Sequence, residues 1–333
     1  MNRCVGISEK GGLVDLNLIE REEQVPSMGE IKVKWHATSL NYHDYLVAKG
    51  VIPVEEGRIP MSDGAGQIVE IGAGVSNWKV GDRVMSLFFP NWIHGIPDAR
   101  KTRSISGETV DGYACDYSCL RYDQVTRIPS GFTFAEAATL PCAALTSWRA
   151  LMVEGKIKAG DTVLAEGSGG MSIFAIQMAK MAGAKVYATT GSPDKAERLM
   201  DLGAEAVINY KEDPHWGKTV YKMSGGIDHV LDVGGQATMR QSIEAVKVYG
   251  NIYSIGILGG PKGEILFPKL FFKHIHLIGL AVGSAEMQED MVKAIEANGL
   301  KPVIDKTFAL SVLTEAFKYQ EKGLHFGKIV VEW

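Results

Sequence analysis

A short apolar run from Thr162 to Ala165 leads directly into the glycine-dense turn Gly167-Ser-Gly-Gly-Met-Ser172. This pairing limits what the chain can fold into more than any other stretch. The run has the length and texture of a strand buried on both faces of a parallel sheet. After the turn, Ile173, Ile176, Gln177 and Lys180 recur at the spacing of successive helical turns. A second β-rich run (Lys185 to Thr190), a second helix from Asp194 and a third short strand (Ala206 to Ile208) follow. Strand, helix, strand, helix, strand is half of a doubly wound sheet, so the fold class is α/β with a Rossmann-type parallel sheet.

The glycines say what such a turn holds. A pyrophosphate approaches backbone closely only where no Cβ intervenes, and the N–H groups opening the next helix then point at its charge. Gly167, Ser168, Gly169, Gly170, Met171 and Ser172 are therefore read as cofactor-binding, with the small Ser172 at the usual third glycine. Sites that prefer NAD place Asp or Glu at the end of the second strand to hold the ribose 2′-OH. Here that position holds Thr189 or Thr190, then Gly191, Ser192 and, a turn later, Lys195 and Arg198. With no carboxylate to repel it, a 2′-phosphate is accepted, and Ser192 and Lys195 are its natural partners. NADP(H) is the expected cofactor. A solvated helix face is the competing reading for Lys195 and Arg198.

With 333 residues the chain has room for two domains. A formal net charge of −4 gives no reason to expect nucleic acid or an anionic membrane as partner. The opening MNRCVGISEKGG lacks the apolar core of a signal peptide, and no apolar run reaches a membrane span. Four cysteines in this length read as free thiols in a reducing compartment, so the expected location is the cytoplasm.

Residues 1 to about 125 look different. Strand-like runs (Ile31 to Ala37, Ala65 to Ile71, Arg83 to Phe88) alternate with turn clusters, predicting an irregular, mostly antiparallel β domain. Gln67 to Gly74 followed by Val80 to Val84 reads as a hairpin-like pair. Phe89 to Gly112 is rich in Pro, Gly, Asn and Ser; a segment of that kind is a functional loop or lid, with Trp92 either part of it or a packing anchor. From Thr133 the pattern turns helical. Beyond the sheet's first half come a strand from Ile227 to Val233, a helix from Ala237 to Val246 and a strand from Asn251 to Ile257. Asp228 and Asp232 flank the first of these strands and are expected to cap turns or bond backbone N–H groups. The apolar run Ile275 to Val282 would lie at a sheet edge and pair with its twin in a homodimer. A helix from Glu286 to Asn298, strand pieces near Val303 and Phe308, a helix from Leu313 to Lys322 and a strand from Lys328 to Val331 complete the chain.

Taken together, the motifs resemble the medium-chain dehydrogenase/reductase superfamily, and within it the zinc-free, quinone oxidoreductase-like branch. The residues that carry the resemblance are S-L-N-Y-H-D-Y from Ser39, S-D-G-A-G-Q-I-V-E-I-G from Ser62, K-V-G-D-R-V from Lys79 and A-A-T-L-P-C-A-A-L-T-S-W from Ala137. V-I-N-Y from Val207 and K-P-V-I-D-K-T-F…H-F-G-K-I-V from Lys301 extend it essentially end to end. The resemblance implies a GroES-like catalytic domain (1–127 and 266–333) around a Rossmann domain (128–265). It also implies hydride transfer in the cleft between them. Asn41 matches a family position beside the nicotinamide and is the first catalytic candidate. Tyr45 is a hydroxyl donor offset by one residue from several relatives. Asp44 is either catalytic or, with His43, a device that fixes the local turn. Thr146 matches a residue on the nicotinamide face, Ser192, Lys195 and Tyr210 match contacts to the 2′-phosphate, and Thr190, Ile257 and Lys328 complete the cofactor set. Lys328 otherwise reads as a strand-end lysine.

Zinc-dependent members of that superfamily carry Cys where this chain has Asn41, His where it has Ser62, and a second Cys at Cys142. Only Cys142 keeps a metal-binding atom, and a catalytic zinc needs three protein donors. His36, His43 and His94 do not stand at ligand spacing, and Cys115 and Cys119 alone do not make the family's four-cysteine structural site. No metal is expected. Without a Lewis acid a carbonyl must be polarised by hydrogen bonds, which suits quinones and α,β-unsaturated carbonyls better than simple alcohols. The expected activity is NADPH-dependent reduction of such a small molecule. The alternatives are an NADP-dependent alcohol dehydrogenase or ketone reductase, and a non-catalytic NADPH-binding protein.

Overall fold

The structure, a computed structural model, describes residues 1–8, 11–13 and 16–333. It divides into two compact units, Met1–Leu145 with Val282–Trp333, and Thr146–Ala281. The compact units meet at 145/146 and 281/282, whereas the sequence reading placed its domain boundaries at 127/128 and 265/266. The physical reason is packing. The helix Phe134–Ala138 packs on the β domain, and the strand His276–Gly279 is hydrogen-bonded into the parallel sheet.

In chain order the strands are β1 (Asn2–Ile7), β2 (Leu16–Arg21), β3 (Glu30–Ser39), β4 (Ala65–Ile71), β5 (Arg83–Ser86), β6 (Tyr117–Arg121), β7 (Val125–Arg127), β8 (Thr162–Glu166), β9 (Lys185–Thr190), β10 (Ala206–Asn209), β11 (Ile227–Asp232), β12 (Val246–Ser254), β13 (His276–Gly279), β14 (Ile304–Ala309) and β15 (Lys328–Glu332).

In the first unit β1 and β2 form a hairpin, and the other strands form a seven-stranded sheet in the order β14-β15-β3-β4-β5-β7, with β6 also on β3. Every pairing in that sheet is antiparallel except β14 with β15. The ten-residue β3 reaches β6 with its first half and β15 with its last three residues, and its ladder with β4 slips register twice. Such bulges bend a strand and increase its twist, which lets one strand serve three neighbours. Its inward side chains Ile31, Val33 and Trp35 are fully buried in the core with Ile68, Val84 and Phe317. The end of β3 delivers Thr38, Ser39 and Leu40 directly to the helix Tyr42–Ala48. That helix, the β1–β2 hairpin and β6 and β7 carry no element assignment in the sequence reading.

The second unit is a six-stranded sheet in the order β10-β9-β8-β11-β12-β13, parallel throughout. Relative to the first strand of the unit this is the 3-2-1-4-5-6 order of dinucleotide-binding sheets. All five residues of β8 are buried, as a central strand covered on both faces requires. Two helices carry no assignment in the sequence reading: Phe267–Phe272, and Trp216–Ser224, which packs Trp216 and Val220 against the sheet core. The strand expected at Asn251–Ile257 begins earlier, at Val246, and ends at Ser254. No helix among the described residues is long and apolar enough to cross a membrane.

Candidate functional site

In the parallel unit the turn after β8 has the geometry its glycines suggest. Gly167 sits at φ +79°, a conformation that glycine adopts without steric cost, and a Cβ built there would meet nothing within 4 Å. Its N–H donates to the Thr189 carbonyl at 2.9 Å, tying the turn to β9. The helix Gly170–Met181 starts immediately after, capped by Gly169, so its first N–H groups line the turn. Ser172 is buried and its hydroxyl donates back to the Glu166 carbonyl at 2.6 Å. Ser147, which the sequence reading passed over, donates its hydroxyl to the Met171 carbonyl at 2.8 Å, beside the buried Thr146.

The end of β9 carries no acid. Thr189 and Thr190 are buried, and the Ser192 N–H donates to the Thr190 hydroxyl at 3.2 Å. The Tyr210 N–H reaches the Thr190 carbonyl at 3.1 Å, and a Cβ at Gly191 would stand 2.7 Å from the Tyr210 hydroxyl oxygen. Glycine at 191 therefore lets the Tyr210 ring lie against the end of the strand. Thr190, Ser192 and Tyr210 are brought together, with Lys195 on the adjoining helix Pro193–Asp201. Ile257 lies beyond the end of β12, in a turn with its side chain largely exposed, so its sequence placement at a strand end is corrected.

In the β unit a second set of expected residues converges. Asn41 caps the helix Tyr42–Ala48, its N–H donating to Asp44 Oδ2 at 2.9 Å. Asp44 Oδ1 accepts from the Ser62 N–H at 2.8 Å, so this buried carboxylate pins two backbone segments together. The Asn41 amide donates to Asp63 Oδ2 at 2.9 Å and to the Ser62 hydroxyl at 3.2 Å. On its other side, Lys328 Nζ donates to Asn41 Oδ1 at 2.6 Å and to the Leu40 carbonyl at 2.8 Å, with Asp63 Oδ2 at 3.5 Å. Ser39 adds a hydroxyl to Asp63 Oδ2 at 2.7 Å. Burial pushes the Asp63 carboxyl up to about 6 although the Lys328 charge pulls it down. Cys142 feels the same group: burial and the Asp63 charge push its thiol well above the usual range.

Lys328 is thus neither a solvated strand-end lysine nor a lone ammonium; it is buried in the network around Asn41. Tyr45 does not join that network. Its hydroxyl donates to Glu321 at 2.6 Å and accepts from Lys49 at 2.6 Å. His43 turns to the 89–112 segment, where Nε2 lies 2.7 Å from Glu108. Against the downward pull of burial, Asp44 and Glu108 raise its imidazolium to about 9. Within that segment Trp92 is fully buried with its indole N–H on the Gly95 carbonyl, which makes it a packing anchor. Asp63 and Glu166 went unremarked from sequence. The signal was present in both cases: an acid next to small residues in S-D-G-A-G, and an acid closing the apolar T-V-L-A-E.

Comparison with known proteins bears on both units. Residues 27–130 match the alcohol dehydrogenase GroES-like domain family, and residues 170–297 match the family described as zinc-binding dehydrogenase. A zinc-type alcohol dehydrogenase-like protein of Schizosaccharomyces pombe is 39% identical over 324 residues, covering 93% of this chain and 94% of the relative. An acryloyl-coenzyme A reductase of Sulfurisphaera tokodaii is 26% identical over 330 residues, covering 95% of this chain and 96% of its own. The crystal structure of an NAD-dependent alcohol dehydrogenase superposes with a TM-score of 0.91 at 30% identity, covering 99% of each chain.

Proposed function

The chain belongs to the medium-chain dehydrogenase/reductase superfamily, and from that premise we propose that it is a zinc-independent, NADPH-dependent reductase of quinones or α,β-unsaturated carbonyls. The observation that carries the metal-free part is the use already made of the donor positions. Where zinc-dependent relatives hold Cys and His, Asn41 and Ser62 are hydrogen-bonded to each other, and the Asn41 oxygen is capped by the Lys328 ammonium. An amide and a hydroxyl are poor zinc donors, and an ammonium at 2.6 Å repels a cation from the same oxygen. Among the described residues no group of three His, Cys, Asp or Glu side chains could hold a metal ion. The residues do not fit zinc.

They do fit a dinucleotide. Gly167 to Ser172 would receive the pyrophosphate, and Thr190, Ser192, Lys195 and Tyr210 would surround a 2′-phosphate with donors and no carboxylate at the strand end. NADPH held there would supply hydride chemistry to a quinone or to the β-carbon of an enone, with a proton from solvent or a nearby donor completing the two-electron reduction. Asn41 is assigned the orienting role: Lys328 on its oxygen and Asp63 and Ser62 on its nitrogen leave it one rotamer. A conjugated acceptor spreads the developing charge, so fixed dipoles suffice where a simple ketone needs a stronger acid. An acryloyl-coenzyme A reductase among the relatives supports an activated double bond as acceptor.

A second reading, an alcohol dehydrogenase or ketone reductase, is favoured by the names of other relatives. One experiment separates the two: dialyse the protein against a chelator, measure its zinc, and follow NADPH oxidation against quinones, enones and aldehydes. The proposal expects substoichiometric zinc and undiminished turnover with the conjugated acceptors. One retained zinc per subunit, with activity lost on its removal, would establish the alternative. We further propose a homodimer through β13, which lies at the sheet edge near the exposed Phe267, Phe271 and Phe272; a monomeric mass in light scattering refutes it.

A further inference from the structure

At the C-terminal ends of β8 and β11 two buried acids meet over one hydroxyl. Ser242 Oγ lies 2.7 Å from Glu166 Oε1 and 2.7 Å from Asp232 Oδ2. A serine hydroxyl has a single hydrogen, so it donates to only one of these oxygens. With both acids ionised, the other contact would set lone pair against lone pair at hydrogen-bond distance, away from water. At least one proton must therefore reside on the pair. Its place follows from the remaining partners. Asp232 Oδ1 accepts from the Gly235 N–H at 2.8 Å and the Thr238 hydroxyl at 2.9 Å, whereas Glu166 Oε2 has the Val233 N–H at 3.3 Å. The better-solvated charge is on Asp232, so Glu166 donates to Ser242 and Ser242 donates to Asp232.

We propose that Glu166 is protonated in the native protein and that, through Ser242 and Asp232, it acts as a positioning residue that clamps together the strand-end turns receiving the dinucleotide, so that cofactor affinity falls when this proton is lost. The proposal rests on the reading that the dinucleotide lies along Gly167 to Ser172. Glu166 directly precedes that turn, and its carbonyl holds the Ser172 hydroxyl. The Asp232 carbonyl accepts the N–H groups of Ile255 and Gly256, so the same pair also anchors the turn after β12. Ionisation would leave two like charges joined by one hydroxyl beneath both turns. Burial and the Asp232 charge push the Glu166 carboxyl up to about 8, so the loss falls at an accessible pH. The other groups reaching the two carboxyls, the Ser242 and Thr238 hydroxyls and the N–H groups of the 233–235 turn, are uncharged.

The test is fluorescence titration of NADPH and of NADH, from pH 6.5 to 9.5 at constant ionic strength, for the wild type, Glu166→Gln and Asp232→Asn. A glutamine can still donate to Ser242 but carries no titrating proton. The wild-type Kd should rise above pH 8, approaching about tenfold per pH unit for one linked proton, and for both cofactors alike. Glu166→Gln should bind as the wild type does at pH 6.5 and stay flat. A flat wild-type profile, or the same slope in Glu166→Gln, overturns the proposal. If neither cofactor binds at any pH, the dinucleotide reading itself has failed, and urea denaturation from pH 5 to 9 decides the clamp. Wild-type stability should then drop relative to Glu166→Gln as pH rises through about 8, because the native state binds the extra proton; parallel profiles would refute it.

Discussion

Replacing Lys328 with Met removes the one cation found at Asp63 among the described residues while keeping most of the side chain's volume. The two side chains are 3% and 0% exposed, with Nζ 3.5 Å from Oδ2. At that separation an effective dielectric of about 20 gives an attraction of about 4–5 kcal/mol. Relief from burying the ammonium returns part of this, and breaking buried pairs in other proteins costs about 3–5 kcal/mol. We expect about 3 kcal/mol at pH 8, equivalent to pushing Asp63 up by about two further pK units at ~1.4 kcal/mol each. The sign with pH follows from Asp63, whose folded-state value is already raised to about 6. Its favourable contribution is complete below the ordinary carboxylate range and is lost as pH rises through 6. In the variant this loss continues to higher pH. At pH 5 the carboxyl is protonated in both proteins, and only the bonds to Leu40 and Asn41 are missed, about 1 kcal/mol. Hydrogen exchange of β3 and β4 peptides, with urea denaturation at pH 5 and pH 8, reads the effect. A penalty below about 1 kcal/mol at pH 8, or one equal at both pH values, would refute the argument.

Three other outcomes are expected. Lys195→Glu should weaken NADPH far more than NADH, by about tenfold or more, because it sets a like charge beside the 2′-phosphate; equal losses in titration would remove the basis for the cofactor preference. Asn41→Ala should lower turnover about tenfold or more with circular dichroism unchanged, and unaltered kinetics would move the chemistry elsewhere. Glu108→Gln should bring the His43 imidazolium down from about 9, since one of its two acids is gone. NMR titration of the ring protons checks this, and an unmoved midpoint would show that Asp44 alone holds the charge.

Sequence pattern revealed the parallel sheet because a strand covered on both faces must be apolar, and T-V-L-A before a glycine turn has few other uses. Helix Trp216–Ser224 escaped because W-G-K-T-V-Y-K-M-S contains a glycine and β-branched residues and buries few side chains. Propensity argued against a helix that tertiary packing supplies. Asn41 was legible as a candidate; what holds it was not. Lys328 lies 287 residues away, and no local period links an N-cap to the first residue of the last strand. Tyr45 lies apart from the Asn41 network for the opposite reason. It is one residue from Asp44, but successive helical positions point in different directions, and its hydroxyl ends on Glu321.

The nested layout of the two units has a bearing on synthesis. Residues 282–333 leave the ribosome only after every strand of the six-stranded sheet, so that sheet can close while the β unit still lacks β14, β15 and Lys328. Until then Asp63 has no ammonium to face, and the β3 edge that later takes β15 stands open. A stalled or shortened chain would thus carry a finished nucleotide fold attached to a half-built, sticky partner, the kind of species that chaperones must shield.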